Sequence, residues 1–553
     1  MKYRHLVLPL LLGMAIPPPA AAEAGPAPRE ARRSAGVRLS RAEYEDRVHA
    51  AWLGQIIGME MAAPHEHRVA SVVRLEDFPR SLEAARVDDD WYYEIVALRA
   101  FERYGIDLTV RELGRQWREN SAGTWGSSLE ARVNLERGLD APDTGHPRHN
   151  TMWWSIGPQF SAELYGMVAP GMPGVAGRLA RELGAINGYA EGLDGAVFVA
   201  GMLSLAFVET DPREVVRGAA RLIHPGSPYR QALDEVIALA EAGKGAREIA
   251  GRVEDRWHGE YPATNNAVAN GALVAISVWF GGGDFLETIN LAASLADFSD
   301  ADCNAAGAAA VVGAMRGTRA IPSPLVAALG DRIVGATLGR VELTPPVDER
   351  ISELARRTAR IGEALLRSNG GAVDARDVVL PARAPVTQPL QAFSLPDLAR
   401  FWDPAWTLER AGFGAGRGGM SGIRGQTFFR DGILATYPRD EVRGVLLRRD
   451  VTVGIGASLR ARVGVDPGRA WQLDVYVDNE QVHGEIVEAP ADSRGEIAWR
   501  DIRVDLGRFA GRTVHLRVYQ RTLVPDRVPG KAYWAELRLD PEPPRPTAAV
   551  ALP

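Results

Sequence analysis

The sequence predicts a protein of two folded domains, an all-α domain followed by an all-β sandwich. Its 553 residues exceed the usual size of one domain, and 46% of them are hydrophobic, which is enough for more than one packed core. Up to about residue 368, apolar residues recur at spacings of three and four, as amphipathic helices require. Beyond about residue 392 they alternate with polar residues, as half-buried strands require. This change of period is the main evidence for two domains.

The N-terminus predicts a protein that is exported to the periplasm or the extracellular space. Lys2 and Arg4 precede a short apolar run, Leu6–Ile16, and three prolines and three alanines follow it. This pattern predicts a signal peptide over residues 1–22 that is too short to span a membrane. Residues 23–38 are rich in Ala, Pro and Arg and are predicted to be a flexible leader. No later run of about 18 apolar residues occurs, so we expect no membrane span.

The helical domain is predicted over residues 39–368. Ser40 followed by Glu43 forms a capping-box pattern at the start of the first helix. No strand-like alternation is evident before the linker, so the domain is predicted to be all-helical. The apolar spacing predicts helices over 94–104, 176–183, 197–207, 229–242, 267–279, 285–296, 304–315 and 349–366.

The β-sandwich is predicted over residues 393–540, with jelly roll as the favoured version. It follows a linker over 369–392, which contains two glycines and three prolines. Short alternating runs separated by Gly, Pro and Asp predict the strands of the sandwich. The alternation places Trp534 on the face away from the core, where it would either stack on a sugar or seal the contact between domains. Residues 541–553 are predicted to be a disordered tail.

Charge and cysteine content exclude several classes of protein. The net charge of −6 gives no basis for binding a nucleic acid polymer or a membrane surface. The single cysteine, Cys303, cannot form an intramolecular disulfide, so stability has to come from packed cores. The sequence gives no indication of partner proteins.

Two acidic clusters are the most informative feature of the chain. Asp88, Asp89 and Asp90 precede one apolar helix-like stretch, and Asp300 and Asp302 precede another. Adjacent carboxylates repel one another and resist burial unless a cation holds them. Clusters that offer only oxygen ligands suit a hard divalent ion such as Mg²⁺. The alternative is that each cluster is an acidic helix start favoured by the helix dipole.

Around these clusters, the helical domain resembles the ADP-ribosylglycohydrolase family over roughly residues 40–320. The segment Ala51–Gly58 is similar to the glycine-spaced helix of the family, which leads to a ligand glutamate, here Glu66. Asp88–Asp90 is similar to the Thr-Asp-Asp motif of the family, and Asp300–Asn304 to its Asp-x-Asp-Thr motif. Further segments resemble an exported subgroup of the family: Gly145–Asn150, Ile156–Phe160, Ala169–Pro173, Glu191–Gly195 and Gly281–Phe285.

The resemblance implies a metal-dependent active site. It implies two Mg²⁺ ions, with Mn²⁺ as an alternative, at the centre of the helical bundle. The catalytic residues that it implies are Glu66, Asp89 and Asp302, with Glu66 as a ligand or a proton acceptor. The metal ligands that it implies are Glu66, Asp88, Asp89, Asp90, Asp300 and Asp302.

Besides Asp88, which stands in the place of the first threonine, the chain departs from the pattern of the family at three positions. Cys303 replaces a threonine of the metal motif, and a thiol is a poor ligand for Mg²⁺, so a buried structural role is favoured for it. Trp91 stands in the place of a second threonine, and Met59 in a place where the family often has Asp. We expect metal binding to continue with an altered choice of substrate.

Six residues are predicted to contact the substrate. An indole can stack on a base or a sugar, but buried tryptophans are equally often part of a core. Asn265, at the start of a predicted helix, could contact the substrate or cap the helix with its neighbour Asn266. The candidate substrate contacts are Trp91, Trp153, Trp154, Gln159, Asn150 and Asn265.

These observations favour an exported Mg²⁺-dependent glycoside hydrolase whose substrate is a glycoside or a glycan. ADP-ribose on proteins is mainly an intracellular mark, so the signal peptide widens the expected substrates to furanoside-containing glycans and nucleosides besides ADP-ribose conjugates. The alternative is a non-catalytic extracytoplasmic glycan-binding protein in which the sandwich binds the glycan. The departures at Cys303 and Trp91 motivate that alternative.

Overall fold

The computed structural model describes residues 36–258, 261, 263–410, 427–438, 441–492 and 495–541. The predicted signal peptide lies outside these residues, as do most of the predicted leader and the tail beyond residue 541. Within them, helices dominate as far as residue 368 and strands dominate from residue 407 onwards. The prediction of a helical domain followed by a β-sandwich is therefore confirmed.

Sixteen α-helices occur in the described part of the chain, and all but the last belong to the helical domain. The first begins where it was predicted to begin, because the Glu43 amide donates a hydrogen bond of 3.1 Å to Ser40 Oγ. The helices are α1 (Arg41–Ala62), α2 (Asp89–Tyr104), α3 (Val110–Glu119), α4 (Gly126–Glu136), α5 (Glu163–Met167), α6 (Pro173–Gly184), α7 (Glu191–Ala206), α8 (Pro212–Ala220), α9 (Pro228–Glu241), α10 (Ala246–Val253), α11 (Ala267–Gly281), α12 (Phe285–Ser294), α13 (Ala301–Arg316), α14 (Ser323–Leu329), α15 (Ile351–Ser368) and α16 (Leu398–Trp402).

The two central helices, α1 and α13, pack with their backbones almost in contact. A Cβ atom on Gly54 would lie 2.5 Å from the carbonyl oxygen of Ala309, and one on Gly58 would lie 2.5 Å from that of Ala305. No side chain fits at such distances, so the four-residue glycine spacing serves a close helix contact. This contact places the C-terminal end of α1 beside the acidic start of α13.

Two small sheets interrupt the helical domain, although no strand-like alternation is evident in the sequence there. Their strands are short, and the longer pair contains a register shift between Gly335 and Thr337, which hides the two-residue period. One sheet has the order β1-β6-β5 and the other β2-β3-β4. The strands are β1 (Val37–Ser40), β2 (Ala85–Arg86), β3 (Ile333–Leu338), β4 (Val341–Glu349), β5 (Ala372–Val373) and β6 (Asp377–Leu380).

The segment predicted to be a linker, 369–392, lies against the helical domain. Strand β6 pairs antiparallel with β1, at the start of the domain. Further along, the Gln388 amide donates a hydrogen bond of 2.6 Å to the carbonyl of Leu222. The prolines and glycines of the segment shape an ordered connection, because its backbone finds partners on the helices.

The sandwich consists of two five-stranded sheets with the orders β13-β12-β15-β10-β7 and β14-β11-β16-β9-β8. From β9 onwards the chain crosses from one sheet to the other at every connection except the β12–β13 hairpin, which is typical of jelly rolls. The strands are β7 (Thr407–Arg410), β8 (Phe428–Arg430), β9 (Ile433–Thr436), β10 (Val445–Thr452), β11 (Ser458–Val465), β12 (Ala470–Val477), β13 (Glu480–Glu488), β14 (Ala498–Asp505), β15 (Thr513–Arg521) and β16 (Ala532–Asp540).

The prediction that Trp534 faces away from the core is wrong. In β16, Leu537 pairs with Ala461 of β11. The next inward residue of β11, Val463, pairs with Trp534, so a register shift leaves Ala535 unpaired. This irregularity turns Trp534 inward, where it is fully buried and its Nε1 donates to Thr436 Oγ1 at 2.9 Å. Trp534 is therefore a core residue of the sandwich and not a sugar platform.

Aromatic side chains line the contact between the two domains. The ring centroid of Phe393 lies 5.1 Å from that of Trp153 and 5.8 Å from that of Phe401. Arg430, at the end of β8, pairs with Glu130 of α4. These contacts fix the sandwich beside the N-terminal half of the helical domain.

Candidate active site

The ends of three helices bring acidic side chains to one cleft of about 240 Å³. Glu66 follows the C-terminal end of α1, the Asp88 cluster begins α2, and Asp300 and Asp302 begin α13. The close packing of α1 against α13 accounts for two of these positions. The cleft is lined by Glu66, His67, Asp88, Asp89, Trp125, Gly126, Ser127, Ser128, Ser155, Ile156, Gly157, Phe160, Asn265, Asp300, Asp302 and Cys303.

Asp88 is the N-cap of α2, so the alternative interpretation, an acidic helix start, is correct for this residue. Its Oδ1 accepts a hydrogen bond of 3.4 Å from the Asp90 amide. Asp89 is half-buried at the cleft, whereas Asp90 is fully buried behind it. Only Asp88 thus serves as a cap, so capping does not explain the burial of Asp89 and Asp90.

The second acidic cluster is held by asparagines. Asp300 is the N-cap of α13, but its side chain makes no capping hydrogen bond. Its backbone amide donates to Asn270 Oδ1 at 3.1 Å, and the same oxygen accepts 2.8 Å from Asn304 Nδ2. Asn270, on α11, therefore fixes the turn that presents Asp300 and Asp302 to the cleft.

The carboxylates destabilise one another in the absence of a cation. Burial raises the pKa of Asp89 well above its usual range, and the neighbouring charge of Asp88 raises it further. Burial likewise raises the pKa of Asp302, with the charge of Asp300 as the next cause. A cation within the cluster would reverse both effects, because it offsets the charges that repel.

Glu66 differs from the other acids because it lies at the mouth of the cleft. Its side chain is 50% exposed, and His67 Nε2 lies 3.9 Å from its Oε1 and 4.0 Å from Asp300 Oδ2. Burial, and then the charge of Asp300, raises the pKa of Glu66. A carboxyl that is exposed to solvent and holds its proton more tightly than usual suits proton transfer.

Cys303 lines the cleft, so the favoured interpretation of a purely structural cysteine does not describe its position. Its sulfur lies within 4.8 Å of a carboxylate oxygen of Asp300 and of one of Asp302. Burial, and then the charge of Asp300, raises the pKa of the thiol well above its usual range. The thiol therefore stays neutral beside the acids of the cleft.

The donor set fits a divalent cation. Both side-chain oxygens of Asp90 and Oδ1 of Asp300 are buried and make no hydrogen bond in the described part of the chain. Unpartnered buried carboxylate oxygens are costly unless a cation or ordered water satisfies them. Hard divalent ions prefer such oxygens.

A second pair of acids, Glu94 and Glu163, lies buried behind the cleft. Glu94 Oε1 accepts a hydrogen bond of 2.7 Å from the Leu164 amide, and Glu163 Oε1 makes none in the described structure. Burial raises the pKa of Glu94 to about 8. The sequence analysis did not single out either residue, because isolated glutamates in amphipathic helices are ordinary.

The burial of Glu94 predicts a loss of stability as the pH rises, and the Glu94→Gln substitution should reduce this loss. Between the unfolded pKa, about 4.3, and the folded pKa of about 8, the folded state holds a proton that the unfolded state has lost. The free energy of unfolding therefore falls as the pH rises, by up to about 1.4 kcal/mol per pH unit. Gln retains the acceptor for Leu164 and removes the titration, so the variant should lose less stability between pH 5 and pH 8.

Urea denaturation in chelator at a series of pH values measures this difference. Glu182→Gln, at an exposed position on α6, is the matched control and should follow the wild-type chain. A Glu94→Gln protein whose stability falls with pH as steeply as that of the wild-type chain would contradict the prediction.

Of the predicted substrate contacts, only Asn265 lines the cleft. The neighbouring Asn266 is the one that caps α11, accepting from the Ala269 amide at 2.7 Å. Trp91 is fully buried, because the first turn of α2 directs it into the helical core and away from the cleft. It therefore has no place in the candidate site.

The other four predicted contacts have structural partners. Trp153 packs in the aromatic contact between the domains, and Trp154 donates from Nε1 to the Thr151 carbonyl at 3.1 Å. Asn150 is buried and donates to the carbonyls of Ser127 and Thr144. Gln159 is buried, and its Oε1 accepts a hydrogen bond of 2.9 Å from the Tyr229 hydroxyl. These residues support the walls of the cleft without lining it.

The sequence analysis missed several residues of the cleft. His67 could have been found, since it directly follows Glu66. Trp125 is 50% exposed at the start of α4, next to Ser127 and Ser128. No sequence signal marks these three residues, because only the fold brings the start of α4 opposite the acidic clusters.

No helix in the described residues is long and apolar enough to cross a membrane.

The comparisons with known proteins match parts of the chain. The model of the ADP-ribosylglycohydrolase family matches residues 40–365. No curated protein matches the chain. Among solved structures, an ADP-ribosylglycohydrolase-related protein complex is 20% identical over 58% of this chain and 99% of its own chain, with a TM-score of 0.39. The K3 cleaved adhesin domain of Lys-gingipain from Porphyromonas gingivalis w83 is 10% identical over 25% of this chain and 93% of its own, with a TM-score of 0.20. A structure described as CBM4 is 14% identical over 24% of this chain and 84% of its own, with a TM-score of 0.17.

Proposed function

Because the chain belongs to the ADP-ribosylglycohydrolase family, we propose that it is an exported, metal-dependent hydrolase that cleaves a glycosidic bond. One observation carries the proposal. Two acidic clusters that are about 210 residues apart in the sequence meet at one cleft. Carboxylate oxygens of Asp90 and Asp300 are buried there without a hydrogen-bond partner among the described residues. Export rests on the predicted signal peptide over residues 1–22.

We expect the bond to join a sugar, with a furanose as the first candidate, within a glycan, a nucleoside or an ADP-ribose conjugate. The residues that would hold Mg²⁺, or Mn²⁺, are Asp88, Asp89, Asp90, Asp300 and Asp302, with Glu66 at the edge of the site. Bound there, the metal would neutralise the clustered carboxylates and favour the binding of vicinal sugar hydroxyls.

Glu66 is the residue that we assign to proton transfer. It is the most exposed acid of the cleft, so both water and a leaving group can reach its carboxylate to exchange a proton. A water molecule deprotonated by Glu66 would attack as the glycosidic bond opens through an oxocarbenium-like state. Asp89 and Asp302 would hold their charges beside this positive carbon.

The wall opposite the acids offers hydroxyl and amide groups to a sugar. Ser127 Oγ is buried and makes no hydrogen bond in the described structure. A Cβ atom on Gly157 would lie 2.4 Å from this oxygen, so the hydroxyl packs directly against the glycine in the wall of the cleft. Ser127 and Asn265 are therefore expected to bind the hydroxyls of the sugar.

Hydrolysis of a panel of glycosides tests the proposal. The panel includes ADP-ribosylated peptides, nucleosides and aryl furanosides of arabinose, ribose and galactose. We expect cleavage of at least one with Mg²⁺, loss of cleavage with a chelator, and loss in Glu66→Gln. If the protein binds the metal but cleaves no member of the panel, the hydrolase proposal fails. The alternative, a non-catalytic glycan-binding protein, would then be favoured.

Trp125 is expected to bind the group that leaves. Its exposed indole lies at the cleft, and the turn between β3 and β4 supports it, since a Cβ atom on Gly339 would lie 2.9 Å from its Cζ2. Trp125→Ala should raise the KM for substrates with a planar leaving group about tenfold, because stacking contributes about 1–3 kcal/mol. Trp125→Phe should restore most of the affinity. Equal KM values in the wild-type and Ala proteins would contradict this role.

A further inference from the structure

The outer face of the sheet β13-β12-β15-β10-β7 carries an ordered group of polar and aromatic side chains. The inner face of the sheet packs in the core of the sandwich. On the outer face, Asp474 pairs across strands with Tyr519, and Gln472 pairs with Arg521. Tyr476, two residues from Asp474, lies on the same face.

Asp474 is the centre of this group. Although it is on the outer face, it is only 6% exposed, because neighbouring polar side chains surround it. Its Oδ1 accepts from Gln472 Nε2 at 3.0 Å and from Gln481 Nε2 at 3.1 Å, and its Oδ2 accepts from Arg521 Nε at 2.8 Å. The carboxylate thus holds two amides and one guanidinium in fixed orientations.

Two tyrosines lie beside these groups. The rings of Tyr476 and Tyr519 meet edge to face, with centroids 5.5 Å apart, and both are half-buried. The Arg521 guanidinium lies 5.1 Å from the centroid of Tyr519. The rings are therefore held in place by their neighbours and keep part of their surface open to solvent.

A glycine leaves room for the side chains that surround the carboxylate. Gly484, on β13, pairs with Asp474 across the strands. A Cβ atom at Gly484 would lie 2.8 Å from Gln481 Nε2 and 3.3 Å from Asp474 Oδ1. Any larger residue would extend over the group that Asp474 organises.

We propose that this face binds a glycan chain, at a site separate from the acidic cleft. A sugar presents hydroxyl pairs, which match the oriented amides and the guanidinium, and an apolar ring face, which matches an aromatic side chain. Groups fixed before binding lose little conformational entropy on binding.

The chemistry of the face disfavours other partners. Asp474 and Arg521 form an ion pair at its centre, so these two groups offer no net positive charge to the phosphates of a nucleic acid. Among the described residues of these five strands, Ile486 is the one large hydrophobic side chain that is substantially exposed, at 40%. The core of a protein–protein interface needs more apolar surface than this.

Affinity electrophoresis of the full chain tests the site. Native gels contain arabinogalactan, arabinan, xylan, mixed-linkage β-glucan, dextran or polygalacturonate. We expect one or more of these polysaccharides to retard the wild-type protein, and Tyr519→Ala and Asp474→Ala to weaken the binding about tenfold or more. Gly484→Val, which removes no polar group, should also weaken it, so the test does not depend on how well the first two variants fold.

The controls separate this site from the other sheet and from the cleft. Trp499→Ala removes an aromatic residue on the opposite sheet, where Arg462 lies 5.8 Å from the ring centroid, and should leave the binding intact. Chelator and Asp89→Asn should also leave it intact, even if the hydrolase proposal fails. The proposal is overturned if none of the polysaccharides retards the protein. It is also overturned if the wild-type protein and the Tyr519→Ala and Gly484→Val variants are retarded equally, or if only Trp499→Ala loses the binding.

Discussion

The Asp89→Asn/Asp302→Asn double variant is expected to lose the calorimetric signal of Mg²⁺ and Mn²⁺ binding, and at least about 100-fold in hydrolytic rate. Each substitution removes a negative charge from one of the two clusters that meet in the cleft. The amide has nearly the same shape as the carboxylate, so the packing around both positions should survive. Titration calorimetry of the two proteins side by side measures the loss of binding.

The fold of the double variant should remain intact and should tolerate the absence of metal better than the wild-type chain. The pKa values of Asp89 and Asp302 are raised in the folded state, so without metal the wild-type chain loses stability as the pH rises above the usual range of a carboxyl. The variant lacks these two titrations. Circular dichroism with chelator checks this, with Asp501→Asn on the exposed face of β14 as the control. Global unfolding of the double variant, or unchanged metal binding, would count against the shared site.

Gly58→Ala is expected to destabilise the helical domain by about 3 kcal/mol and to weaken metal binding at the same time. The added Cβ would lie 2.5 Å from the Ala305 carbonyl oxygen, which is backbone and cannot rotate away. Helices α1 and α13 would have to separate, and α13 carries Asp300 and Asp302. Thermal unfolding gives the first effect and calorimetry gives the second.

Gly251→Ala is the matched control for this substitution. Gly251 lies in α10 with nothing within 4 Å of an added Cβ, so Ala should stabilise the chain by about 0.5–1 kcal/mol. A Gly58→Ala protein that melts at or above the temperature of the wild-type chain would show that the helices can separate at little cost. The contact between α1 and α13 would then not explain the glycine spacing.

The two domain classes follow from the sequence alone, because the apolar period differs between helices and strands and depends only on local geometry. The sequence also identified the acids of the cleft. Asp89, Asp300 and Asp302 were found because clustered carboxylates are costly wherever they are buried. The start of α1 and the cap of α11 were likewise predictable from Ser40 and Asn266, since capping acts within one helical turn.

The tertiary structure decided which other side chains face the cleft. Trp91 adjoins the acidic cluster in sequence but points into the core, whereas Trp125 is distant in sequence and lines the cleft. Trp534 turned inward because a register shift interrupts the alternation of β16. Such outcomes depend on how elements pack and on which strands pair, and contacts between residues far apart in the chain leave no periodic signal in the sequence.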